Sequence, residues 1–289
     1  MKISVSSYSF SQYIRQGKMS QRDCVAKAKE MGFDAIEFTE IDGTPDFAQQ
    51  LENAEKIRKE ADRVGIPICA YAVSACLYQE TKETSDAQVE QLKHQLEVAK
   101  VLGAKVMRHD VCYQLGKTGN SRSFDLMLPT IAENARRVTE YAKTLGIQTC
   151  TENHGMIAQD SDRVERLFNA VNHDNYGLLV DMGNFVCADE NPVTAVSRVA
   201  PYAIHAHAKD MILSMAKEGD ASFLTRGGRY CRGCVIGEGD VPVQQCLRIL
   251  KAAGYDGYVS IEYEGEEDCI AGIGRGLQNL RRFLHELSV

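Results

Sequence analysis

The sequence predicts an α/β chain folded as a single (β/α)8 barrel spanning residues 1–289, on three observations. Amphipathic helical stretches repeatedly end in glycine and run straight into a short apolar segment. This happens at Met31-Gly32-Phe33, Val64-Gly65-Ile66, Leu102-Gly103-Ala104, Leu145-Gly146-Ile147 and Ala253-Gly254-Tyr255. Glycine just past a helix takes the left-handed conformation that closes it, so each junction reads as an αβ turn. Eight short strand-like segments alternate with these helices, at spacings too long for hairpins, which implies a closed barrel. No GxGxxG follows the first strand, which disfavours the alternative, a doubly wound open sheet.

Each element has its own justification. Residues 3–7 are a short run without proline and form the first strand. A helix near 20–31 leads to the second strand at 35–39. A helix near 46–64 leads to the third strand at 66–72, which carries its proline, Pro67, near the start. Val89, Leu92, Leu96, Ala99 and Leu102 recur at intervals of three and four, as an amphipathic helix requires, before the fourth strand at 105–109. Leu128, Ile131, Ala135, Val138, Ala142 and Leu145 repeat that pattern before the fifth strand at 148–153. Helices near 161–172, 191–200 and 241–253 precede the sixth, seventh and eighth strands at 176–181, 203–208 and 258–263. The chain ends in a helix with Ile270, Ile273, Leu277, Leu280, Leu284 and Leu287 on one stripe. One βα connection, about 211–239, is long. It suits a lid or substrate loop near the mouth.

Composition bounds the function. A hydrophobic fraction of 44% and a charged fraction of 25% suit a globular chain with a sizeable core. Apolar runs are too short for a transmembrane helix, so no membrane partner is expected. The opening MKISVSSYSF has no apolar h-region, so a cytoplasmic protein without a leader is expected. A net charge of −7 and no basic tract argue against nucleic acid as partner. Ten cysteines in a chain of this length without an export signal read as free thiols rather than disulfides. Cys231-Arg-Gly-Cys234 has zinc-site spacing but no second pair, and reads as two thiols in a loop. Oligomerisation stays open, because packing on the barrel accounts for the stripe of the last helix without a partner.

In a barrel the chemistry belongs at the C-terminal ends of the strands. Strand five ends Thr-Glu152-Asn153-His154, and strand six ends Val-Asp181-Met-Gly-Asn184. Strand seven reads His205-Ala-His207-Ala-Lys209-Asp210, and strand eight ends Ile-Glu262-Tyr-Glu264. Alternation places His205 and His207 on one face and turns Glu262 away from its apolar neighbours, into the barrel. Glu152, Asp181, His207 and Glu262 therefore converge from four consecutive strands. Three converging carboxylates raise one another's pKa values unless a cation compensates or salt bridges disperse them. A donor set of three carboxylates and one imidazole suits Mn²⁺ first, with Mg²⁺, Co²⁺ or Zn²⁺ as alternatives.

These segments, with Gly237-Glu-Gly239-Asp240-Val241, resemble the xylose isomerase-like TIM-barrel superfamily of sugar and sugar-phosphate isomerases and epimerases. The resemblance runs the length of the chain. It implies that Glu152, Asp181, His207 and Glu262 are the ligands of one divalent metal ion. It also implies that Glu152 and Glu262 flank the substrate as acid and base. Many relatives carry His where this chain has Asn184, which cannot shuttle a proton and points to a hydrogen-bonding role there.

The implied chemistry is proton abstraction next to a carbonyl of a sugar or sugar phosphate, through an enediolate, giving isomerisation or epimerisation. A rival in the same superfamily is a dehydratase or lyase acting on a keto-inositol or keto-glycoside. A zinc endonuclease would need more histidines and a basic surface, and a non-catalytic sugar-binding barrel would tolerate loss of an acid–base glutamate. His154, Lys209, Arg108 and Asn184 are candidates for substrate contacts. Arg108 reads equally as a barrel ion pair, and Lys209 with Asp210 as a salt bridge in the turn. His205 reads as structural, one layer deeper. Arg226 and Arg229 read as solvated charge pairs or as phosphate contacts. Tyr8, Phe10 and Tyr71 divide between a sugar-ring contact and core packing, and 74–85 reads as a further wall.

Overall fold

The computed structural model describes residues 1–43 and 46–287. Its strands are β1 (Lys2–Ser6), β2 (Ala35–Thr39), β3 (Ile68–Val73), β4 (Val106–His109), β5 (Gln148–Glu152), β6 (Tyr176–Asp181), β7 (Ala203–Ala208), β8 (Asp210–Ser214), β9 (Phe223–Leu224), β10 (Tyr230–Cys234) and β11 (Tyr258–Ile261). The helices are α1 (Ser11–Arg15), α2 (Gln21–Met31), α3 (Phe47–Val64), α4 (Lys82–Leu102), α5 (Phe124–Thr144), α6 (Ser161–Val171), α7 (Asn184–Cys187), α8 (Pro192–Val199), α9 (Val243–Ala252) and α10 (Cys269–Glu286). β1 to β7 and β11 form a closed parallel barrel, shut by the pairing of β1 with β11 from Lys2↔Tyr258 to Val5↔Ile261. The expected (β/α)8 barrel is therefore observed, and β2, β6 and β7 keep the expected bounds.

The helix ends follow from local chemistry. Ser20 and Asp23 cap α2 reciprocally, and Gly32, at φ +86°, closes it in the left-handed conformation. Gly65 and Gly103 do the same for α3 and α4. The main core lies between sheet and helices: Ile36 and Phe38 of β2 are fully buried with Leu92 and Leu96 of α4 and Ile131 and Val138 of α5. The alternate residues face the barrel axis, where Ser4 and Ser260 meet at 2.6 Å. Phe10 and Tyr71, one of the open choices above, are core residues with no exposed surface.

The long connection of 211–239 is not irregular. β8, β10 and β9 form a three-stranded antiparallel sheet with β10 central, and Cys231 and Cys234 lie in β10 rather than in a loop. The sheet rests on the end of β11: a Cβ on Gly233 would come within 2.6 Å of the Glu264 backbone. The expected Lys209–Asp210 salt bridge does not form. Asp210 accepts the backbone N–H groups of Met211, Gly237, Gly239 and Val241 instead, and so ties β8 to the turn before α9. Among the described residues no helix is long and apolar enough to cross a membrane.

Candidate metal centre and its cleft

The C-terminal ends of β5, β6, β7 and β11 bring Glu152, Asp181, His207 and Glu262 together, with one donor atom of each within 4.8 Å of all the others. The first three are at most 1% exposed and Glu262 is 9% exposed. His207 Nδ1 faces Glu152 Oε1 at 3.5 Å, Asp181 Oδ2 at 3.6 Å and Glu262 Oε2 at 3.7 Å. These separations exceed a hydrogen bond. His207 Nδ1 and Asp181 Oδ2 are buried with no hydrogen-bond partner. Orphaned polar atoms are rare in folded chains, and two that converge with two further carboxylates fit a cation. The other Asp181 oxygen is saturated: Oδ1 accepts from Gly183 N at 2.7 Å and Asn184 N at 2.8 Å.

Surrounding groups hold Glu152 and Glu262 ionised. Arg108, only 9% exposed, donates from Nε to Glu152 Oε2 at 2.6 Å and also reaches it through Nη2. Asn184 Nδ2 donates to Glu152 Oε1 at 2.9 Å. Burial would push the Glu152 carboxyl up, but Arg108 and then His207 hold it well below the usual carboxylate range. Lys209 Nζ lies 2.5 Å from Glu262 Oε2, 3.6 Å from Asp181 Oδ2 and 3.3 Å from Glu264 Oε1. It also donates to Asn184 Oδ1 at 3.2 Å. Lys209 and His207 thereby outweigh burial and hold Glu262 low as well. Arg108 forms the expected barrel ion pair and also lines the cleft.

Beyond the four stand residues that sequence reasoning did not single out. Asp110 bridges Arg108 Nη1 at 3.1 Å, His154 Nδ1 at 2.9 Å and Tyr113 Oη at 2.7 Å. The His154 imidazole, which burial alone would pull down, is raised by its hydrogen bond to Asp110. Glu37 of β2 is fully buried beneath the centre and accepts from His205 Nε2 at 2.6 Å and His207 Nε2 at 3.0 Å. The parity that turns Glu262 inward also turns Glu37 inward, between Ile36 and Phe38, so its signal was present in the sequence. His205 lies in the deeper layer expected of it.

The centre opens into a two-lobed cleft. One lobe, of about 420 Å³, carries Arg108, Asp110, His154, Glu262 and Ser74. The other, of about 800 Å³, carries Asn184, Gln159, Met156, Met211, Phe223 and Leu224. Tyr8, Ser11, Arg15, His154, Lys209 and Glu264 border both lobes, so the β1 end and α1 also contribute to the mouth. The β8–β10–β9 sheet forms a wall of the larger lobe through Met211, Phe223 and Leu224. Arg226 and Arg229 are not in the cleft; they pair with Asp160 at 2.7 Å and Asp189 at 2.8 Å.

The chain belongs to the xylose isomerase-like TIM barrel family, whose model matches residues 25–284. It is 26% identical over 160 residues to an inosose dehydratase of Clostridium beijerinckii, covering 54% of this chain and 53% of that one. The match thus spans about half the length of that relative. It is 25% identical over 265 residues to the rhizopine catabolism protein MocC of Rhizobium meliloti, covering 86% of this chain and 76% of that one. The solved structure of an IolI protein with a bound zinc atom superposes with a TM-score of 0.76 over 99% of both chains, at 17% identity.

Proposed function

We propose that the protein is a divalent-metal-dependent enzyme that abstracts a proton next to the carbonyl of a keto-sugar or keto-polyol. The observation that carries this is the buried quartet, with His207 Nδ1 and Asp181 Oδ2 orphaned and aimed at its centre. Glu152, Asp181, His207 and Glu262 would hold the ion, which would supply Lewis-acid polarisation of a substrate carbonyl worth roughly several kcal/mol. Mn²⁺ suits the oxygen-rich donor set, and Zn²⁺ is the ion of the IolI structure.

The chain's own residues supply the rest. Glu262, which lines the smaller lobe, takes the α-proton. Glu152, three strands round the barrel from it, is held by Arg108 and Asn184, and only the epimerisation reading uses it to return a proton. Lys209 and Glu264 border both lobes and offer a donor–acceptor pair that epimerisation does not require. That pair favours elimination: the β-carbon–oxygen bond breaks, and the leaving oxygen departs as water with a proton from this pair. The inosose dehydratase relatives support the same outcome. Epimerisation is the second reading, supported by the presence of both Glu152 and Glu262 in the quartet.

Incubation of the Mn²⁺-loaded protein with keto-inositols and keto-hexoses in D2O separates the readings. Growth of a conjugated-carbonyl absorbance with loss of water is the expected result. Deuterium at the α-carbon with an epimeric or isomeric product and no absorbance change selects the second reading. No exchange on any keto substrate rejects both.

A further inference from the structure

We propose that Glu37 selects the tautomer in which His207 can bind the metal, presenting Nδ1 rather than Nε2. This rests on the metal-centre reading and deepens it. A neutral imidazole has one ring proton and two places for it. On one side of His207, three carboxylate oxygens stand 3.5–3.7 Å from Nδ1 and would draw the proton there. A proton on Nδ1 removes the lone pair that faces the quartet. On the other side, both oxygens of Glu37 lie 3.0 Å from Nε2. Glu37 has no exposed surface and can only accept while ionised. The shorter, two-point contact keeps the hydrogen on Nε2 and leaves the Nδ1 lone pair aimed at the quartet.

His205 completes the arrangement from below. Its Nε2 reaches Glu37 Oε2 at 2.6 Å, and Ser260 Oγ lies 3.3 Å from the same nitrogen. An acceptor-only carboxylate between two imidazole nitrogens makes both of them donors. His205 therefore fixes the Glu37 plane, and Glu37 fixes the His207 ring. A carboxylate behind a ligating histidine both orients the ring and raises its basicity. Glu37 touches neither the quartet's centre nor the cleft, so it acts as a positioning residue. A glutamine cannot replace it fully, because its single carbonyl oxygen serves one imidazole while its amide N–H₂ opposes the other.

The test uses the full-length protein and metal alone, with no substrate. ¹⁵N NMR of the Zn²⁺-loaded wild type is expected to show His207 with its hydrogen on Nε2 and zinc on Nδ1. Titration with Co²⁺ is expected to show affinity for Glu37→Gln about 10–100-fold below wild type, with an altered visible spectrum. His205→Gln, which leaves the Glu37–His207 contact in place, is expected to lose far less. Zinc on Nε2 of wild-type His207 overturns the proposal whether or not any variant folds. So does a folded Glu37→Gln, by circular dichroism, with wild-type Co²⁺ affinity and spectrum. Asp181→Asn separately reports on the centre itself. If that variant binds Co²⁺ as wild type does, the quartet reading fails while the NMR result for His207 stands on its own. Absence of any metal binding by wild type overturns both.

Discussion

Both oxygens of Glu152 are already engaged, Oε2 by Arg108 and Oε1 by Asn184, so its charge is guarded from two sides. Arg108 holds two carboxylates at once, Glu152 and Asp110, inside a buried network. Removing one partner of a buried ion pair leaves a charge without compensation. Arg108→Met is therefore expected to lower unfolding free energy by about 3–5 kcal/mol in urea titration of the metal-free protein. A loss under ~1 kcal/mol would mean that Glu152 and Asp110 are neutral in the folded state. His154 provides a second residue-level check. Its raised pKa comes from the Asp110 hydrogen bond working against burial. A raised histidine contributes stability that is fully present below its unfolded value, near ~6.5, and is lost as pH rises through the folded value. Asp110→Asn is expected to bring the His154 titration, followed by imidazole NMR, down to or below the ordinary value. An unmoved titration would assign the shift to another neighbour.

The turn between β6 and α7 shows how an element aims a side chain. Gly183 N and Asn184 N saturate one oxygen of Asp181 and leave the other turned to the quartet. A Cβ at Gly183 would stand 2.8 Å from Lys209 Cγ and 2.9 Å from both Lys209 Cβ and its backbone oxygen. Part of that contact is backbone, so repacking a flexible side-chain tip cannot relieve it. Gly183→Ala is expected to cost about 1–3 kcal/mol of stability. It is also expected to weaken Co²⁺ binding, because Asp181 and Lys209 move together; unchanged affinity in isothermal titration would show that the turn does not set the Asp181 position. Such elements were legible in the sequence to different degrees. β2 was marked by the glycine junction at Gly32, and β6 and β7 by short strand-like runs between helical patterns, because a buried strand leaves a local trace. The inner face of β7 was legible too, since His205 and His207 share a parity. Glu37 obeyed the same parity and was passed over. Its partners lie 168 and 170 residues away, and only barrel closure brings β2 opposite β7. The β8–β10–β9 sheet was hidden for a different reason. β9 has only two residues, β10 carries glycine and charge, and the apolar Met211, Ile212 and Leu213 of β8 follow β7 so closely that they do not stand out as a separate strand.

At the scale of the whole molecule the barrel spends its axis on charge. Glu37, Glu152, Asp181 and Glu262 are all buried at or beneath one mouth, against the cations Arg108 and Lys209 and the imidazoles of His205 and His207. Lys209 sits 2.5 Å from Glu262 but 3.6 Å from Asp181, so Lys209 alone does not satisfy the quartet. The metal-free state therefore retains like-charge repulsion between strands β5, β6 and β11, and any ion that binds only the closed barrel must stabilise all of it. At a metal concentration about one hundred times Kd that linkage amounts to about 2.7 kcal/mol, or a rise in Tm of roughly 4–5 °C for a chain of this size. The rise should grow with the logarithm of Mn²⁺ or Co²⁺ concentration and vanish in Asp181→Asn, because that substitution removes the orphaned oxygen without disturbing the barrel's core. It should persist, at higher metal concentration, in Glu37→Gln, where the ligands remain but His207 is less firmly presented. A rise of equal size in Asp181→Asn would place the ion outside the quartet, and differential scanning fluorimetry across a metal series distinguishes these outcomes before any substrate is known.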